Sequence, residues 1–96
     1  MRRAGKIDAN QPEIVAALKS VGATVQSLAS AGSGVPDLLV GFRKQTYLLE
    51  VKDGSKPPSA RELTRDQVAW HMAWWGGPCM VVNSPDEALM AIGAMQ

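Results

Sequence analysis

The order helix, three strands, helix, strand, helix predicts a small α/β domain with a central sheet flanked by helices. Three observations carry this. Apolar residues recur at helical spacing over 12–21, between a proline start and a glycine stop. Two β-favouring runs, 37–42 and 46–52, lie either side of a short polar link. Capping-box patterns open both of the last two helices.

The first helix starts at Asn10-Gln11-Pro12-Glu13, where proline has no N–H to leave unpaired. Ile14, Val15, Ala17, Leu18 and Val21 form its apolar face, and Gly22 stops it. A short strand over 23–28 leads into the small-residue loop 29–34. Next come the strands 37–42 and 46–52. A hairpin folded about the Arg43–Lys44 bond places Asp37 opposite Glu50. The loop 53–63 is long for a plain connector. Thr64 and Gln67 then cap a helix running to about Trp75, with Val68, Met72 and Trp75 in one stripe. A short apolar strand over 79–82 precedes a last helix opened by Ser84 and Pro85, whose buried face is Ala88, Leu89, Ile92 and Met95.

The chain has 96 residues, which suits one domain over 1–96 and excludes a full dinucleotide-binding fold, so no organic cofactor is expected. Its 46% hydrophobic and 20% charged content is that of a soluble globule rather than a disordered chain. No apolar run reaches the roughly 20 residues of a membrane helix. The basic start Met1-Arg2-Arg3-Ala4-Gly5-Lys6 lacks the apolar stretch of a secretory signal. One cysteine excludes an internal disulfide and a Cys-rich zinc site, and points to a reducing, cytoplasmic setting. A net charge of +1 does not announce a nucleic-acid binder; the charge runs read first as solvated loops.

Pro36-Asp37, a strand, then Glu50-Val51-Lys52 is the arrangement with chemical content. Alternation puts Glu50 and Lys52 on one face, and Asp37 enters from the neighbouring strand. Two carboxylates about 4 Å apart repel by about 4 kcal/mol at an effective dielectric near 20. Mg²⁺ or Mn²⁺ between them removes that cost, with the Val51 carbonyl as a further oxygen. Lys52 would orient a water or stabilise charge on a phosphate, as phosphodiester hydrolysis requires. The competing reading is ordinary turn chemistry at Pro-Asp and a solvated Glu-x-Lys.

Glu13, Gly34-Val35-Pro36-Asp37, Glu50-Val51-Lys52 and Gln67, in that order, resemble the PD-(D/E)xK nuclease superfamily and, more closely, its VRR-NUC family. The resemblance runs from about Glu13 to the last helix. It implies a minimal restriction-endonuclease-like fold of order α-β-β-β-α-β-α with a small mixed sheet. It implies a Mg²⁺- or Mn²⁺-dependent deoxyribonuclease with Asp37, Glu50 and the Val51 carbonyl as metal ligands. Lys52 would position the attacking water. Glu13 would be a further acidic residue, directly or through water, and Gln67 would line the site. On the residues alone, Glu13 serves the helix dipole and Gln67 only the capping box.

Stand-alone members resemble Holliday-junction resolvases, which implies a homodimer acting on branched DNA in a bacterial or phage-infected cell. Arg43, Lys44, Lys56, Arg61 and Arg65 are the expected phosphate contacts. Trp70 or Trp74 is expected at the dimer interface, because three tryptophans near one helix cannot all enter so small a core. His71, a lone histidine outside the family pattern, reads as packing or an ordinary hydrogen bond. Cys79 reads as a buried apolar residue with no His or Asn partner evident. The alternatives are a non-catalytic DNA-binding module of the same fold and a small α/β protein-interaction module.

Overall fold

The computed structural model describes residues 7–96; the basic stretch 1–6 lies outside them. The elements are α1 (Gln11–Ser20), β1 (Thr24–Ser27), β2 (Leu38–Phe42), β3 (Gln45–Val51), α2 (Arg65–Ala73), β4 (Cys79–Val82) and α3 (Pro85–Ala91). Short 3₁₀ turns at Ala29–Ala31 and Pro58–Ala60 break the two longer loops. The order is the one predicted. The strands form one mixed sheet, β1-β2-β3-β4, antiparallel except for the parallel β3–β4 pair. That parallel pair is what α2 makes possible, since parallel neighbours need a crossover.

The β2–β3 hairpin has the expected register, with Leu38 opposite Leu49 and Val40 opposite Tyr47. Its two-residue turn holds Arg43 and Lys44 at φ +50° and +64°, the left-handed pair of a type I′ turn, which favours Asn-Gly. Replacing Arg43-Lys44 by Asn-Gly, residues that enter the left-handed region at little cost, is expected to stabilise the fold by about 1 kcal/mol. Thermal denaturation would show this as a rise of a few degrees in Tm.

Strand alternation gives the sheet two unlike faces. One face carries Leu38, Val40, Phe42, Leu49, Val51 and Val82, and packs on Ile14 and Leu18 of α1 and on Ala88 and Ile92 of α3. Each of these side chains larger than alanine contributes about 1.5–3 kcal/mol by leaving water. The other face carries Leu39, Leu48, Glu50 and Val81, and α2 covers only part of it: Leu48 is buried, but Leu39 and Val81 are exposed.

Five apolar positions depart from expectation. Val21 caps α1 and is exposed. Met95 is exposed because α3 ends at Ala91 and Gly93, at φ +77°, turns the chain away. No residue of α2 is buried, so its stripe faces outward, with Met72 at 81% and Trp75 at 98% exposure. Trp75 also lies beyond the helix, which ends at Ala73 where Trp74 turns extended. No described helix is long and apolar enough to cross a membrane.

Candidate active site

Pro36 has no N–H, so the β2–β3 ladder stops at Leu38–Leu49. The side chain of Asp37 takes over there: its Oδ2 accepts the Val51 N–H at 2.7 Å. Glu50 stands on the less covered face with only 2% of its surface exposed, and Lys52 beside it with 9%. The helix α2 supplies the cover. Its first turn is the predicted capping box, with Gln67 N–H donating to Thr64 Oγ1 at 3.2 Å and Thr64 N–H to Gln67 Oε1 at 2.8 Å.

The side chain that caps α2 also reaches the sheet beneath it. Gln67 Oε1 also accepts from Lys52 Nζ at 2.8 Å, while its Nε2 donates to Glu50 Oε2 at 3.2 Å. One amide, aligned by a helix cap, therefore links the ammonium to the carboxylate.

These groups line a cavity of about 300 Å³ together with Asp8, Val35, Thr64, Asp66 and the Gly32–Gly34 loop. The loop reaches the start of α2 because Gly34 has no side chain. At φ +84°, a Cβ there would sit 2.3 Å from the Asp66 carbonyl oxygen. Gly34→Ala should therefore destabilise the fold by about 1–3 kcal/mol through backbone strain alone. A Tm unchanged within a degree would show that the loop closes over α2 differently.

The electrostatics are tense. The Glu50 carboxyl is pushed up from 4.5 to about 9, chiefly by burial, then by the adjacent Asp37 carboxyl, with Asp8 adding to the rise and Lys52 opposing it. Its Oε1 is buried without a hydrogen-bond partner among the described residues. His71 Nε2 lies 3.8 Å from that oxygen and is itself buried and unpartnered. Burial, then the nearby Lys52, pushes His71 down. Its other ring nitrogen is 3.6 Å from Cys79 Sγ. Burial, then Glu50, raises the Cys79 thiol. The expectation that Cys79 is buried and has no such neighbour is thus corrected on both points: it is half-buried, and the β3–β4 register brings it under α2.

The donor set suits a hard divalent cation. It holds two carboxylates in a polar cavity, one with an orphaned buried oxygen. Among the described residues, no three His, Cys, Asp or Glu side chains form a metal cluster. Mg²⁺ is commonly held by one or two carboxylates and keeps several waters.

Other expected residues fall elsewhere. Glu13 is exposed and lines a neighbouring cavity with Asn10, Asp53, Asn83 and Glu87. The buried face of α1 is Gln11, Ile14 and Leu18, which turns Glu13 away. Asp8 occupies the cavity in its stead. It is brought there by Asn10, whose amide does not cap α1 but donates to the carbonyls of Lys52 at 3.0 Å and Asn83 at 3.1 Å.

Arg61 lines the same neighbouring cavity with its Nε buried, amid Glu13, Asp53 and Glu87, an acidic setting for a phosphate contact. Arg43 and Lys44 sit at the far end of the hairpin, roughly 20 Å from the carboxylates at about 3.3 Å per residue. Lys56 and Arg65 are exposed, and Arg65 opens α2 next to Asp66 of the cavity wall. Trp70 and Trp74 stack on each other with ring centroids 5.1 Å apart, and Trp74 Nε1 donates to the Gly77 carbonyl at 3.0 Å.

No family model matches the chain, and no curated protein matches it. Among solved structures, a chain described as a VRR_NUC domain matches with a TM-score of 0.63 and 29% identity, covering 83% of this chain and 88% of that one. This match supports the VRR-NUC family and the nuclease-type fold read from the motifs.

Proposed function

Taking the VRR-NUC family as the premise, we propose that the cavity at Asp37, Glu50 and Lys52 is the active site of a Mg²⁺- or Mn²⁺-dependent DNA endonuclease. The observation that carries this is the Lys52–Gln67–Glu50 chain of hydrogen bonds beside Asp37. It fixes a cation donor and two carboxylates on one cavity wall, an arrangement that a solvated strand face does not need.

Asp37 and Glu50 would hold the metal, with the Val51 carbonyl in support. When bound, the metal supplies positive charge to the phosphate and lowers the pKa of water. Lys52, held by the Gln67 carbonyl oxygen, directs its remaining N–H donors to the attacking water and to the phosphate oxygens. Asp8 takes the place proposed for an upstream carboxylate, acting through water.

The polar contacts to DNA are to the phosphate backbone, from Arg65 and Lys56 near the cavity and from Arg43 and Lys44 at the hairpin tip. Removing Arg43 and Lys44 together should reduce the slope of log binding constant against log salt by about 2 on duplex DNA. A slope unchanged by the double substitution would remove the hairpin tip from the interface.

A homodimer acting on branched DNA in the cytoplasm completes the reading. It is supported by the exposed Val68 and Met72 of α2 and the exposed Trp74 and Trp75 just beyond its end; Trp75 replaces Trp70 as the better anchor. The test is cleavage of a four-way junction against matched linear duplex, with sedimentation of the protein at micromolar concentration. A dimer that prefers the junction supports the whole reading. A monomer that cuts both equally retains the nuclease and discards the branched-DNA dimer.

A further inference from the structure

Behind the cavity wall, at Glu50, lies a pairing that the proposed chemistry leaves unused. Gln67 and His71 are one turn apart on α2, so both side chains meet the same patch of sheet. Each addresses a different oxygen of one carboxylate: Gln67 Nε2 is 3.2 Å from Glu50 Oε2, and His71 Nε2 is 3.8 Å from Glu50 Oε1. At 3.8 Å the second pair is too long for a hydrogen bond and too short for a water between them, since two bonds meeting at a bent water span about 4.5 Å. Both atoms are buried, and neither has another partner among the described residues. Leaving a buried polar atom unsatisfied costs about 1–3 kcal/mol, so closing this gap is favoured.

The far side of the ring is also occupied. Cys79 Sγ lies 3.6 Å from Nδ1. An S–H donating to Nδ1 leaves the ring proton on Nε2, the nitrogen that faces Glu50. Trp70 packs edge-on against the imidazole, with centroids 6.2 Å apart at 75°. The line Cys79–His71–Glu50 thus crosses from β4 through α2 to β3, and the β3–β4 register sets its two ends.

We propose that His71 is a positioning residue that holds Glu50 through Oε1 while Gln67 holds Oε2, with Cys79 selecting the Nε2–H form of the imidazole. This rests on the nuclease reading, because the orientation matters only if Glu50 is a working carboxylate. Partners of this kind on metal-binding side chains affect affinity or activity by about 10–100-fold.

The test uses His71→Gln, whose terminal amide can still donate at the Nε2 position, and His71→Met, which fills the space without a donor. Titration calorimetry with Mn²⁺ should show binding weakened about tenfold or more in His71→Met and largely retained in His71→Gln. Cleavage should follow the same order through kcat, with KM for DNA unchanged. Equal behaviour of wild type and His71→Met in Mn²⁺ binding would overturn the proposal, as would equal loss in both variants.

A second measurement needs no substituted histidine. The chain has one histidine, so the ¹⁵N spectrum of the Mg²⁺-loaded wild type, in which Glu50 has given up its proton, reports its tautomer alone. The Nε2–H form is expected, shifting toward Nδ1–H in Cys79→Ala; a wild-type ring in the Nδ1–H form overturns the proposal. Wild type that neither takes up Mn²⁺ nor cuts DNA removes the nuclease reading and this role with it. Wild type that does both while His71→Met does so equally removes this role alone.

Discussion

Lys52→Met should lower kcat for DNA cleavage by about 10²–10³-fold, the usual cost of removing one preorganised electrostatic donor at a reacting centre. Methionine keeps the length of the buried stem and removes only the ammonium, so the fold should survive. Gln67 Oε1 loses one of its two donors but keeps the Thr64 N–H, so the cap of α2 should hold. Binding of DNA should change little, because one buried ammonium adds little to the phosphate contacts of exposed cations. A measured loss in KM rather than kcat would place Lys52 among the binding groups. Retention of full activity would remove it from the chemistry.

Glu50→Gln should separate stability from activity. In the metal-free protein the folded state holds the Glu50 proton far more tightly than the unfolded chain does, at about 9 against 4.5. The unfolded state therefore binds fewer protons through this range, and stability falls as pH rises. The wild type should be most stable below about pH 4.5 with respect to this group, and should lose stability progressively up to about pH 9. Glutamine has no proton to lose, so the variant should have the flatter profile. Near pH 8 in EDTA its Tm should exceed that of wild type, by about 4–8 °C for each kcal/mol recovered.

Added Mg²⁺ should narrow the gap by stabilising wild type alone, through binding to the folded state. Activity of the variant should be lost. Parallel pH profiles for the two proteins would mean that Glu50 is not a strained carboxylate.

The element order and the hairpin register were legible because local signals agree there: the Thr64–Gln67 cap, the stop at Pro36 and the β-rich runs all fall where the structure needs them. The dual use of Gln67 follows from that cap, since a side chain folded back over a helix start faces whatever packs beneath it. The upstream carboxylate was not legible. Helical phase turns Glu13 outward, and Asp8 enters only because Asn10 ties α1 to the carbonyls of Lys52 and Asn83, contacts that no spacing reveals.

The surroundings of His71 are hidden from the sequence for the same reason. Its partners come from β3 and β4, 21 and 8 residues away in the chain, and a lone histidine carries no pattern. The apolar residues of α2 mislead in the opposite sense. Val68, Met72 and Trp75 look like a core stripe, but α2 spends its inward face on Glu50 and Lys52 and leaves them exposed.

The claim that this cavity cuts DNA is tested most directly by nicking of supercoiled plasmid with purified protein. Near pH 8 a buried carboxyl such as Glu50 can give up its proton to a bound cation. Supercoiled plasmid offers both duplex and extruded branched structures, so substrate preference cannot conceal activity. Nicking in Mg²⁺ or Mn²⁺ that stops in EDTA and is lost in Lys52→Met is the expected result. A folded wild-type protein that binds the plasmid and leaves it uncut with either metal would contradict it, and would make this chain a DNA-binding module built on a nuclease fold.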